Sequence, residues 1–164
     1  MASKLEIARE KKVLIQSFPK IQQIENIVKQ ICKINTNSIQ VSVLGKLERM
    51  DLDPNYGNSW LDLKKYCDDE LKLSSNFGII SNPEIGTIFI AGFLAPLFLQ
   101  EINKKQIGEM PTAIFGILRG LGIEPNSVSR YIKTLNKNNF LLIVRGNKNE
   151  LISLEDNLKN RKTT

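Results

Sequence analysis

The chain carries no charged residue from Ile85 to Gln100, and this run limits the folds open to it more than any other feature. A helix that crosses a bilayer needs about 20 predominantly apolar residues. This run is shorter, and Gly86, Gly92 and Pro96 interrupt it. It reads as a buried strand, Gly86–Gly92, leading into a short helix begun around Pro96, and no membrane span is expected.

The rest of the chain falls into segments of similar size. Val13-Leu14-Ile15 is a short buried strand. Pro19 suits a first helical turn, where its missing N–H is not needed. Ile21, Ile24, Ile27, Val28 and Ile31 then recur at helical spacing, so Pro19–Lys33 is a helix with one apolar face. Asn35-Thr36-Asn37 is turn chemistry. Ser38–Leu44 alternates as a half-buried strand, with Ile39, Val41 and Val43 on one face. After the charge-free run and a polar loop, Glu101–Glu109, the spacing predicts a helix over Pro111–Leu121. It turns Ala113, Ile114, Ile117, Leu118 and Leu121 inward. Gly116 and Gly120 form a GxxxG pair, expected to allow close packing against a strand or helix. Gly122 ends this helix in the left-handed conformation. Pro125 opens the next, with Val128, Tyr131, Ile132 and Leu135 on its apolar face. Asn136–Asn139 is a turn and Phe140–Val144 an apolar strand. Asn147 and Glu150 resemble a capping box before a last helix bearing Leu151, Leu154 and Leu158.

Strand–helix–strand followed by strand–helices–strand makes two split βαβ units. The expected class is α+β: a ferredoxin-like βαββαβ four-stranded antiparallel sheet with helices on one face. Residues 47–85 are a long excursion between the second and third strands. They hold eight acidic residues against four basic ones. A short helix starting near Asn58 or Ser59 places Trp60, Leu63 and Cys67 on one face. Residues 12–158 form the domain, between a charged N-terminal extension, 1–11, and a basic tail, 159–164.

Composition narrows the chemistry. The 164 residues contain no histidine. Ser–His and Cys–His nucleophilic sites are therefore excluded, because they need imidazole to carry a proton near neutral pH. Cys32 and Cys67 cannot form a Cys₄ zinc site and lack CxxC spacing. With a charged N-terminus instead of a secretory signal, they read as reduced thiols in a cytoplasm. The net charge of +6 resides largely in the ends, in Arg9, Lys11 and Lys12 and in Lys159, Arg161 and Lys162. Such runs are usually solvated tails.

Several clusters invite a functional reading. Asp68-Asp69-Glu70 supplies hard-cation ligands, but consecutive acids diverge on a helix and make a poor cage. Asp51 and Asp53 are paired carboxylates better explained by a turn or cap. Gly120, Gly122 and Asn126 mark a possible anion-binding turn, where helix N–H groups would meet the ligand. RNA-binding relatives of the ferredoxin-like fold stack bases on strand aromatics. Here the only aromatic on the expected central strands is Phe89, which reads as core. Tyr56, Trp60 and Tyr66 either cover one sheet face or form an exposed recognition feature, for which they are the best candidates, since aromatics are enriched at interface hot spots.

The segments Gly86–Gly92 with Leu94-Ala95-Pro96-Leu97, Gly120–Val128 with Tyr131, and Asn139–Gly146 together resemble the bacterial general stress (heat-induced stress) protein family, including its cyanobacterial-type domain of unknown function. The resemblance covers roughly residues 83–155, and residues 12–45 match in outline. This chain departs from the pattern in a middle apolar segment with fewer glycines, in the charged loop Asn103–Lys105, and in Arg145 where histidine is expected. The resemblance implies the α+β fold and a stress-related context, without a reaction or a cofactor.

These readings lead to a non-catalytic interaction or regulatory protein that self-associates and has an unidentified protein partner. Self-association is expected because strand 86–92 carries apolar residues on both alternating sets, with too few helices to cover two sheet faces. The alternatives are a small-molecule or nucleotide sensor built on the Gly120–Pro125 turn, and, less favoured, a nucleic-acid module using the basic ends. No cofactor or metal is expected.

Overall fold

The computed structural model describes residues 11–34, 39–47, 60–73 and 76–162. The expected turn at Asn35–Asn37 lies outside them, as do Asp51, Asp53 and Tyr56 and the side chains of Trp60 and Leu158. In chain order the elements are β1 (Lys11–Phe18), α1 (Ile21–Ile34), β2 (Gln40–Lys46), α2 (Trp60–Asp69), β3 (Phe77–Asn82), β4 (Gly86–Gly92), α3 (Ala95–Leu99), a two-residue β-ribbon β5 and β6 (Glu101–Ile102 and Lys105–Gln106), a 3-10 turn (Ile107–Glu109), α4 (Ala113–Gly120), α5 (Pro125–Asn136), β7 (Phe140–Asn147) and α6 (Lys148–Lys162).

Among the described residues the main sheet is antiparallel and has five strands in the order β1-β7-β2-β4-β3. Two corrections to the four-stranded expectation follow. First, the 47–85 excursion contains a strand of its own. β3 pairs with β4 from Phe77↔Ala91 to Asn82↔Gly86 and becomes an edge of the sheet. Second, the two split units interlock through their second strands. β7 lies between β1 and β2, and β2 lies between β7 and β4. In the ferredoxin-like order the first strands of the two units take the centre.

Successive strand residues point to opposite faces, and the core divides accordingly. Val43, Phe89, Ala91, Phe140, Leu142 and Val144 pack with α1, α2 and α6. Leu44, Ile88, Ile90, Leu141 and Ile143 pack with α3, α4 and α5. Helices therefore cover both faces of the sheet, not one. The doubly apolar strand that suggested self-association is satisfied within the chain: Ile88, Phe89, Ile90 and Ala91 are all fully buried. A continuous apolar run of this kind belongs to a strand covered on both sides.

Glycine has a steric role at two positions in the inner strands. At Gly45, an added Cβ would stand 2.5–2.8 Å from the rings of Phe140 and Phe89. Gly45 thus leaves room for those rings, whose centroids are 6.2 Å apart. Gly92 ends β4 at φ +98°, and a Cβ there would collide with the Val41 carbonyl. Both constraints keep β2 and β4 in close register.

Candidate functional site

With both sheet faces covered, the outer surfaces of the helices remain. One of them is a groove of about 460 Å³ between α3, the 3-10 turn and α4. Its walls are Leu97, Ile107 and Met110, its base is Gly116, Ile117 and Gly120, and among the described residues none that lines it is charged. Leu97 is 39% exposed.

The local sequence explains each side of the groove. α4 buries Ala113, Ile114, Ile117 and Leu118 against the sheet. Residues 116 and 120, four apart, share the remaining outward face. The expectation that this glycine pair packs against a strand or helix is corrected here. A Cβ built on either glycine meets nothing within 4 Å among the described residues, so the pair faces open space there. Each glycine weakens a helix by about 0.5–1 kcal/mol relative to alanine, and neither returns that cost through packing against the described residues. The helix stops by the Schellman arrangement. Gly122, at φ +93°, donates its N–H to Arg119 O at 2.9 Å, and Ile123 donates to Leu118 O at 3.3 Å.

Asn82 holds the opposite wall. Its side chain is buried and fully bonded. Nδ2 donates to Gly108 O at 2.8 Å and to Met110 O at 3.2 Å. Oδ1 accepts from the backbone N–H groups of Glu84 and Ile85 at 2.9 and 3.3 Å. The β3–β4 turn is thereby tied to the segment that carries Ile107 and Met110. The Thr112 N–H donates to Glu84 Oε1 at 3.2 Å and adds a second tie.

The residues singled out from sequence fare differently. Tyr66 is fully buried, which corrects its reading as an exposed recognition residue. Its hydroxyl donates to Glu25 Oε2 at 2.6 Å, joining α2 to α1. Lys29 donates to Glu25 at 2.7 Å and reaches Glu70 at 3.3 Å. Burial, followed by the Glu25 hydrogen bond, raises the Tyr66 phenol above its ordinary value. For Glu25, burial pushes upward, but hydrogen bonds from Lys29 and Tyr66 outweigh it and hold the carboxyl below its ordinary value. Burial, with Asp68 beside it, pushes the Cys67 thiol up to about 12, so it stays protonated at neutral pH. Cys32 is exposed on α1.

The three residues of the possible anion-binding turn separate. Gly120 lines the apolar groove, Gly122 forms the helix stop, and Asn126 sits exposed in the first turn of α5. Glu124 precedes that turn as the N-cap residue, which puts a carboxylate near the place an anion would take. Of Asp68, Asp69 and Glu70, Glu70 is turned to Lys29 and Asp69 is exposed. Among the described residues, no group of three His, Cys, Asp or Glu side chains is placed to hold a metal ion. No described helix is long and apolar enough to cross a membrane. Phe89 is fully buried and cannot stack on a base. The groove is hidden in the sequence because its residues come from two kinds of segment, Ile107 from a polar loop and Ala113, Ile117 and Leu121 from an inward helix face. The one available signal was the i,i+4 glycine pair on a helix whose inward face was already filled.

Comparisons with protein families, with curated proteins and with solved structures find no match to this chain.

Proposed function

We propose that the chain is a non-catalytic interaction domain that seats an apolar helical segment of a partner protein in the α3–α4 groove. The observation that carries this reading is the Gly116/Gly120 pair, left open at the base of a groove without charged lining. Small residues four apart let another backbone approach closely, and an uncharged, apolar surface loses little on being dried. The groove is also the surface through which two copies could meet, now that no sheet face is left bare. The resemblance to the general stress family is the support for a stress-related setting.

The test fills the groove. Gly116→Leu and Gly120→Leu add side chains where the protein has none, and both raise helix propensity. The melting temperature is expected to hold or rise. Partners co-purified from the native cells, and any concentration-dependent mass in light scattering, are expected to disappear. An unchanged partner set and mass in the filled variant would sink the proposal.

A second reading is favoured by the volume, which falls in the range of about 300–1,000 Å³ typical of small-ligand sites. The lining suits an acyl or aromatic group better than a nucleotide, since among the described residues no cation lines it to pair with phosphate. Displacement of a hydrophobic fluorophore by short fatty acids, lost in Gly116→Leu, would separate this reading from the first.

A further inference from the structure

The two edges of the main sheet are built differently. β1 begins with the exposed Lys11 and Lys12, and Tyr131 of α5 donates its hydroxyl to Ile15 O at 2.9 Å. Lysines and a side chain bonded to the outer backbone are common ways of closing a strand edge. β3, Phe77-Gly78-Ile79-Ile80-Ser81-Asn82, carries no charge.

The phase of the β3–β4 ladder identifies the outward groups. Gly92 donates to Asn76 O at 2.9 Å, next to the Phe77↔Ala91 pair. In an antiparallel ladder, hydrogen-bonded and non-bonded pairs alternate. Gly78, Ile80 and Asn82 therefore bond to β4, while Phe77, Ile79 and Ser81 point their N–H and C=O groups away from it. Among the described residues none of these outward backbone groups has a partner. A slot of about 390 Å³ runs along this edge, lined by Phe77, Gly78, Ile79 and Lys64 of α2. Lys64 has no ion-pair partner among the described residues.

We propose that β3 receives an extended segment of a partner protein as a sixth strand, and that this segment places a carboxylate side chain opposite Lys64. Strand addition at an open edge derives affinity from main-chain bonds and specificity from alternate side chains. Three outward residues offer six such bonds, matching a segment of about five residues. A second copy of this chain fits poorly. Antiparallel pairing of two β3 strands about Ile79 would put α2 of both copies on the same side of the joined sheet, with Lys64 facing Lys64. Opposed like charges disfavour that partner, whereas an acidic strand neutralises the slot. This site lies on another part of the surface from the α3–α4 groove, and filling the groove leaves it intact.

The test uses the full chain with two blocked probe peptides, Val-Glu-Val-Glu-Val and Val-Lys-Val-Lys-Val, followed by amide hydrogen exchange and titration. The acidic peptide is expected to protect the Phe77, Ile79 and Ser81 amides and to bind at least tenfold tighter than the basic one. Lys64→Glu should reverse that order. Ser81→Pro removes an outward N–H and no ladder bond, so it should weaken binding while leaving the melting temperature in place. The proposal is overturned if those amides are already protected in the free chain. It is equally overturned if millimolar acidic peptide leaves them in fast exchange, if Lys64→Glu keeps the original preference, or if the free protein is a dimer that Ser81→Pro dissolves.

Discussion

The Tyr66 hydroxyl and the Lys29 ammonium meet at Glu25 from two different helices, and this contact gives the protein a pH dependence at both extremes. Glu25 has a depressed pKa in the folded chain. Its contribution is present above the unfolded value near 4.5 and is lost as pH falls through the folded value. Tyr66 has a raised pKa, so its contribution is present below its ordinary value of 10 and is lost as pH rises above it. Denaturant melts at several pH values should show an acid limb that Glu25→Gln flattens and an alkaline limb that Tyr66→Phe flattens. At neutral pH, Tyr66→Phe is expected to cost about 2 kcal/mol, the usual worth of a hydrogen bond to a charged group. A flat profile in the unmodified chain would contradict this account.

At the scale of elements, Asn82 is the joint between the β3–β4 turn and the segment before α4. Asn82→Leu keeps much of the volume but strands the Gly108 and Met110 carbonyls and two backbone N–H groups. An expected loss of about 3 kcal/mol follows from buried polar groups left without partners, measurable by urea unfolding. Most helices and strands were legible in the sequence because their patterns are strong. Strand Gly86–Gly92 is observed over the expected residues, and the faces of α1, α4 and α5 turn inward where their spacing predicts. β3 was not legible in the same way. Gly78 and Ser81 dilute its apolar pattern, so residues 47–85 read as an excursion without a strand. The candidate groove was partly legible: its glycine pair was visible, but a residue's spacing does not say which side of a helix the rest of the chain leaves empty.

On the scale of the molecule, what the sequence could not convey was pairing. Alternating apolar patterns specify which residues face a core, not which strand lies beside which. Val13–Ile15 and Phe140–Val144 each read as strands, yet nothing in either segment names the other as its neighbour. The sheet order makes many contacts distant in sequence, since β7 pairs with β1 along Lys11↔Asn147 to Phe18↔Phe140. Refolding followed by stopped flow should accordingly fall in the millisecond-to-second range typical of non-local topologies. A microsecond phase carrying the full amplitude would argue against the sheet order. The position of β7 has a further consequence during synthesis. Until residues 140–147 have left the ribosome, β1 has no strand to pair with and β2 lacks its neighbour on that side. Unpaired strand edges of this kind are the sites at which incomplete chains associate wrongly, so a chain truncated before residue 140 is expected to aggregate where the full chain does not, a difference that light scattering would register.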